Sequence, residues 1–462
     1  MNRLISKDKV RSPRAGILTI HGLAEHLGRY NCLTGKLNFF SCKRRGKMFR
    51  IRLTAIALVI GVLGLFLVFP ATSRAEKKLY IGGSFALTGP YAENCASVLA
   101  AFEDYAQYVN ETKRMAPWRD EKFPADVTLE VLWRDDELKP AKAISIYEEL
   151  KAKGILVFQL SGSAQSMALK DRLNNDHVGT VTMAQGAYLL NPPLTIFTNA
   201  PIYTDSLAAI ADWFKENWKE ARKPRVAYLT ADNAMGKSIE IPEMEAYLKK
   251  TGYEFVGIQY VPLVPATPPT TQLMWLKQNK IDLALGMMIC PGTEPTIKEA
   301  VRLGMGPNLD YKIMFGFGGT CPASMFERDM GKLGDGILIG GSNPIWSQDL
   351  PGVKFAVEIQ KRRHPDKFVN DGTYFTGLLE VMTQVEALRL ALEAFPVEKL
   401  TPLIVLEQGF YRIKNFDTGG LTDSPLTYEG PGKVEGVRAA GVFQFQGAKA
   451  VRLGTWPLRH LY

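Results

Sequence analysis

From residue 78 onward, short apolar runs alternate with longer amphipathic stretches. Lys78–Ser84, Thr128–Trp133, Ile155–Leu160 and Gly179–Met183 have the length and apolar density of strands. Between them, Asn94–Thr112, Pro140–Lys153 and a segment running from Ala164 to about Asn174 carry helical periodicity. Pro140 falls in a first turn and Gly154 just past a last one, where helices accept them. Ile155–Leu160 reads as a strand covered on both faces. The rhythm restarts after Phe197-Thr198-Asn199-Ala200-Pro201. Strands are predicted at Arg225–Leu229, Phe255–Tyr260, Ile281–Met287, Tyr311–Phe315 and Gly336–Gly340. Helices are predicted from the cap Asp205 and over Lys237–Thr251, Thr270–Asn279 and Thr293–Leu303. Such alternation implies parallel sheets with helices on both faces.

Past Asn343-Pro344 the pattern turns helical, over Val353–Arg363 and Tyr374–Ala394, with no strand between. These helices are expected to return to the first sheet. After Gly419 apolar and polar residues alternate, as in Val442-Phe443-Gln444-Phe445, which predicts an antiparallel hairpin. The reading is α/β, with two doubly wound lobes joined by a three-crossing hinge. Lobe I is expected to comprise 76–200 plus 344–418, and lobe II 201–343 plus 419–462. Several crossings restrict two lobes to one closing motion. Ligands of such lobes bind where strands end and helices begin.

Charge alters the picture only at the start of the chain. The net charge is +9, yet residues 1–75 hold 14 Lys and Arg against 2 Asp and Glu, and the remainder carries −3. The body therefore lacks the basic footprint of a nucleic-acid binder. Residues 48–75 read as a signal peptide: Arg50 and Arg52 are basic, Leu53–Phe69 is apolar, and Ser73 and Ala75 are the small residues before a cleavage site. An export signal cleaved after Ala75 places the protein in the periplasm; the competing reading is a retained anchor, since the run of 17 residues is near the lower limit for a span. Residues 1–47 are an extension preceding a second candidate start, Met48.

Cys32 and Cys42 lie in that leader, leaving Cys95, Cys290 and Cys321 without metal-like spacing. Cys290 and Cys321 each follow a predicted strand; pairing in an oxidising compartment and burial as free thiols both fit. No cofactor or metal site is expected. His21-Gly22-Leu23-Ala24-Glu25-His26-Leu27-Gly28-Arg29-Tyr30 resembles an oxyanion-hole segment of α/β-hydrolases, but no G-x-S-x-G nucleophile elbow occurs in the chain. An enzyme is not expected.

The strand beginning at Leu79 runs into Gly82-Gly83-Ser84-Phe85-Ala86-Leu87-Thr88-Gly89-Pro90-Tyr91-Ala92, where free amides and hydroxyls can gather at one point. With Leu160-Ser161-Gly162-Ser163-Ala164, the turn to Gly186, the stretch Tyr228 to Gly236 and Ala300-Val301-Arg302-Leu303-Gly304, it resembles the leucine/isoleucine/valine-binding family of type I periplasmic binding proteins. The resemblance spans nearly all of residues 78–455. It implies a monomeric receptor that captures a small-molecule ligand between two lobes and docks on the membrane permease of an ABC importer. A receptor of the same fold feeding a signalling partner is the alternative. The resemblance puts the ligand carboxylate at Ser163, with Ser161 beside it; a helix-capping role for Ser163 is the competing reading. It puts further contacts at Ala184 and Gly186 and an aromatic wall at Tyr91, which also fits a half-buried surface tyrosine.

This sequence departs from the family at informative places. Met235 stands where amino-acid binders carry a tyrosine, and Phe315-Gly316-Phe317-Gly318-Gly319-Thr320 has no acid to hold a ligand ammonium. A buried unpaired ammonium is costly. A pocket with Met235, Met288 and Phe317 on one side and Ser163 on the other suits an apolar or aromatic molecule with one anionic or polar end; the same apolar residues would also serve as core.

Overall fold

The computed structural model describes residues 77–462. The signal peptide at 48–75, the extension at 1–47, Cys32, Cys42 and the His21–Tyr30 segment lie outside the described residues. The first sheet contains β1 (Lys77–Phe85), β2 (Val127–Asp135), β3 (Ile155–Leu160), β4 (Gly179–Thr182) and β5 (Ile196–Phe197), all parallel, in the order β2-β1-β3-β4-β5. The second contains β6 (Arg225–Ala231), β7 (Glu254–Val261), β8 (Leu283–Gly286), β9 (Met314–Gly318), β10 (Leu338–Gly341), β11 (Ala439–Gln446) and β12 (Lys449–Pro457). Its order is β12-β11-β10-β9-β8-β6-β7, parallel from β7 to β10 and closed by the antiparallel hairpin β11–β12.

The helices are α1 (Ala92–Thr112), α2 (Pro140–Ala152), α3 (Ser163–Asp176), α4 (Tyr203–Asn217), α5 (Ala234–Lys237), α6 (Pro242–Lys250), α7 (Thr270–Gln278), α8 (Cys290–Arg302), α9 (Ala323–Met330), α10 (Pro351–Arg363), α11 (Gly372–Ala394) and α12 (Pro402–Gln408). The helix expected over Lys237–Thr251 starts only at Pro242; Lys237 is the last residue of the short α5. Pro242 has no N–H to give the preceding turn and holds Ile241 extended, at φ −117° and ψ 146°. Helix α8 starts three residues before its expected first residue, because Pro291 in the first turn forfeits only an amide that has no intrahelical partner. Helices α9 and α12 were not foreseen; each is short and preceded or opened by proline.

Helix α11 is buried along most of its length, polar residues such as Glu380, Gln384 and Glu386 included, as a helix covered on every side must be. It lies against α1, and α10 packs on the same helix while α12 covers β3 and β4. The closest approach is at Gly377, where a Cβ would sit 2.7 Å from the Cα and carbonyl oxygen of Val98. The chain thus returns from the second sheet to the first and then goes back to complete β11 and β12. The first and third passages run side by side: the Thr198 amide donates to the Val434 carbonyl (2.9 Å) and the Gly436 amide to that of Thr198 (2.8 Å). In each sheet the strand order reverses beside the first strand, between β1 and β3 and between β6 and β8. Such switch points leave a crevice at the carboxyl ends of the strands.

Candidate functional site

The loops leaving those two switch points line one cavity of about 240 Å³. The segment Ser161–Gln165 follows β3, Tyr91 lies in the loop after β1, and Asn233, Ala234 and Met235 follow β6. Leu138, Met183, Met235, Leu263 and Ile289 form an apolar wall. Gly162 is the N-cap residue of α3, and no side chain caps that helix. Ser163 is therefore its first helical residue rather than its cap. First-turn amides without a capping side chain, beside a hydroxyl, favour an anion.

Two acids at the end of β2 hold this corner in shape. Asp135 accepts from the Leu87 amide (2.9 Å) and the Thr88 hydroxyl (2.5 Å), fixing the turn after β1. Asp136 is buried and accepts from the Ser84 hydroxyl (2.7 Å), the Leu138 amide (2.8 Å) and Gln165 Nε2 (3.4 Å). Burial outweighs these bonds and raises its carboxyl above the usual range. Ser161 donates to the Ser84 carbonyl at 3.0 Å and so ties β3 to β1. Burial also raises the phenols of Tyr91 and Tyr203, so both act as neutral hydrogen-bonding groups.

On the opposite side, Cys290 and Cys321 form a disulfide across 4.8 Å between their Cα atoms. It joins the start of α8 to the loop after β9 and so anchors Thr320, whose hydroxyl donates to the Met288 carbonyl at 2.8 Å. A second, smaller chamber of about 70 Å³ continues from the first. Tyr91, Met183, Tyr203 and Thr320 line both and form the waist between them. The smaller chamber reaches the inter-lobe passages, at Asn199–Pro201 and Gly341–Asn343. Together the two reach the lower end of the range for small-molecule sites, ~300 Å³. Among the described residues, no Asp, Glu, Lys, Arg or His lines either chamber.

Of the residues singled out from the sequence, Tyr91, Ser161, Ser163 and Met235 come together around the larger chamber. Ala184, Gly186 and Phe317 line neither chamber. Successive side chains of an extended segment point to opposite sides. Met183 and Gln185 face the cavity, while Ala184 packs in a core cluster with Leu160 and Leu189, and a Cβ on Gly186 would sit 2.0 Å from the Tyr188 ring. Phe317 is wholly buried in the main core, as is Met288, and Thr320 faces the ligand space in their place. Gln185, Asn199, Tyr203 and Ser342 were not foreseen. Three of them belong to, or lie beside, the passages between lobes, where no periodic pattern marks a side chain's direction.

Residues 78–402 match the family model described as periplasmic binding protein. No curated protein sequence matches the chain. Among solved structures, a branched-chain amino-acid ABC transporter protein from Thermus thermophilus with bound valine is similar at TM-score 0.74 and 20% identity, over 84% of this chain and 98% of that one. A fatty acid ABC transporter substrate-binding protein from Thermomonospora curvata is similar at TM-score 0.69 and 19% identity, over 83% and 94%. A solute-binding protein of an ABC transporter from Rhodopseudomonas palustris BisB5, in complex with 3,4-dihydroxybenzoic acid, is similar at TM-score 0.65 and 16% identity, over 82% and 98%. At these identities the likeness is one of fold.

Proposed function

The chain belongs to the periplasmic binding protein family, and from that premise we propose that it is the exported solute receptor of an ABC importer, specific for a small organic acid that carries no ammonium group. One observation carries the reading: the uncapped first turn of α3, with Ser163, lines the same cavity as the apolar Leu138, Met235, Leu263 and Ile289. A carboxylate would sit against Ser163 and the α3 amides, and its apolar body against the wall. The lining offers no carboxylate to an α-ammonium, whose desolvation would then go uncompensated. The fold takes ligands of this kind elsewhere: Rhodopseudomonas palustris solute-binding proteins are known in complex with benzoate and with 4-hydroxybenzoate.

In this reading the protein does no chemistry on its ligand. Closure of the lobes encloses the solute, and the closed form docks on a membrane permease. Export through the 48–75 signal, with cleavage after Ala75, brings it to the periplasm, where it acts as a monomer. The division into lobe I and lobe II given above supplies the two jaws.

The test is scanning fluorimetry of the full chain with benzoate, 4-hydroxybenzoate and octanoate against leucine, valine and phenylalanine. A bound ligand raises the melting point with concentration by mass action. The acids are expected to raise it and the amino acids to leave it unchanged. Ser163→Ala is expected to weaken binding of a responding acid about 10- to 100-fold, the range for one hydrogen bond to a charged group. An unchanged affinity would remove Ser163 from the site.

A further inference from the structure

We propose that the chamber at the inter-lobe passages is a separate polar subsite, built to receive a neutral hydroxyl or primary carboxamide at the ligand end remote from its carboxylate. This rests on the preceding reading of the larger chamber and extends it to the ligand's other end. Three side chains on the smaller chamber's wall are more than nine-tenths buried: Gln185, Asn199 and Ser342. Each carries a buried polar atom with no hydrogen-bond partner: Gln185 Oε1, Asn199 Nδ2 and Ser342 Oγ. Neighbouring polar groups are already engaged. Asn343 Nδ2 donates to the Thr376 hydroxyl (2.7 Å), the Thr373 hydroxyl donates to Asp371 Oδ1 (2.5 Å), and Gln185 Nε2 donates to the Thr182 carbonyl (2.7 Å). The three unpartnered atoms thus belong to residues that line one and the same chamber.

Their chemistry specifies the guest. Gln185 Oε1 can only accept, Asn199 Nδ2 can only donate, and the Ser342 hydroxyl can do either. A group that both gives and takes a hydrogen bond satisfies them; a methyl leaves all three unpaired, and a second carboxylate or an ammonium brings a charge that no side chain on this wall balances. About 70 Å³ holds a group of a few heavy atoms but not a whole ligand. Because Tyr91, Met183, Tyr203 and Thr320 line both chambers, one elongated molecule can reach from Ser163 through the waist to Asn199. Asn199 lies on the first passage between lobes and Ser342 at the start of the second, so such a group would link two passages of the hinge region.

The experiment is isothermal calorimetry on the full chain with matched pairs: benzoate, 4-hydroxybenzoate and 4-carbamoylbenzoate; 3-phenylpropionate and 3-(4-hydroxyphenyl)propionate. The measured quantity is the ratio of Kd values, parent over substituted acid. In the wild type at least one series is expected to give a ratio of about ten, the worth of one well-made buried hydrogen bond. Ser342→Ala, which removes only an unpartnered hydroxyl, and Gln185→Met, which preserves volume, are expected to bring that ratio towards one. A ratio, unlike an affinity, is insensitive to a general loosening of the site. A wild-type ratio near one in both series, or one that survives both substitutions, would overturn this subsite while leaving the carboxylate reading intact. If no acid of either series binds, both readings fall together.

Discussion

Replacing Glu380 by glutamine should stabilise the protein, by an amount that grows with pH. Glu380 lies in the middle of α11 with no exposure to solvent, and its one hydrogen-bond partner is Gln159 Nε2, 2.6 Å from Oε2. Burial holds its carboxyl well above the ordinary value of 4.5. The sign follows from proton counting. Raised in this way, the folded Glu380 keeps its proton at a pH where the unfolded chain has lost it, so folding takes up a proton between the two pKa values. Stability is fully present below the unfolded pKa and is lost as pH rises towards the folded one. While the folded form stays protonated, the folding equilibrium constant falls about tenfold per pH unit, so two units amount to about 3 kcal/mol. Glutamine keeps the shape and abolishes this uptake. Urea unfolding of the wild type and Glu380→Gln at pH 5.5 and 7.5 reads the effect directly. The variant's advantage should widen between the two, by up to about 3 kcal/mol. A gap independent of pH, or a variant less stable throughout, would refute the reasoning and mean that Glu380 is ionised and paired in the native state.

The Cys290–Cys321 bridge closes a loop with a sequence separation of 31, so the double substitution to serine should cost about 3–4 kcal/mol through the unfolded chain's entropy; melting with and without reductant checks this, and a reductant-insensitive wild type would contradict it. Gly286→Ala should cost more than about 3 kcal/mol or prevent folding, because its Cβ would lie 1.8 Å from the Leu229 carbonyl oxygen, a backbone atom that cannot swing aside. An unchanged melting point would show that β8 and β6 can separate without penalty.

The sheets were legible because their strands are dense in apolar residues and bounded by turn-formers. Ile155–Leu160 was expected residue for residue, and β6, β7 and β4 fell within two residues of their expected ends. The return of α11 to the first sheet was expected because no strand of its own accompanies it. The helix start at Pro242 was written in the proline and passed over; the apolar pair Met244 and Leu248 lies wholly after it. Ser161, Ser163, Tyr91 and Met235 share one cavity because they lie in the segments that follow β3, β1 and β6, where position along the chain limits position in the cleft. Ala184 lies one residue from cavity-lining Met183 and Gln185, and Phe317 three from Thr320: in extended backbone a shift of one residue turns a side chain from cavity to core, and Phe317 is still inside β9. Asn199 and Ser342 left no periodic signal at all. Their partnerless polar atoms become visible only once both passages between lobes are in place.

The central claim is that this cleft holds a carboxylate and rejects an ammonium. Calorimetry of the full chain with 3-phenylpropionate and with phenylalanine, which differ by one α-amino group, tests it most directly. The acid should bind and the amino acid should bind at least about 100-fold more weakly, the least expected for an uncompensated charge. Phenylalanine binding as tightly as the acid would contradict it.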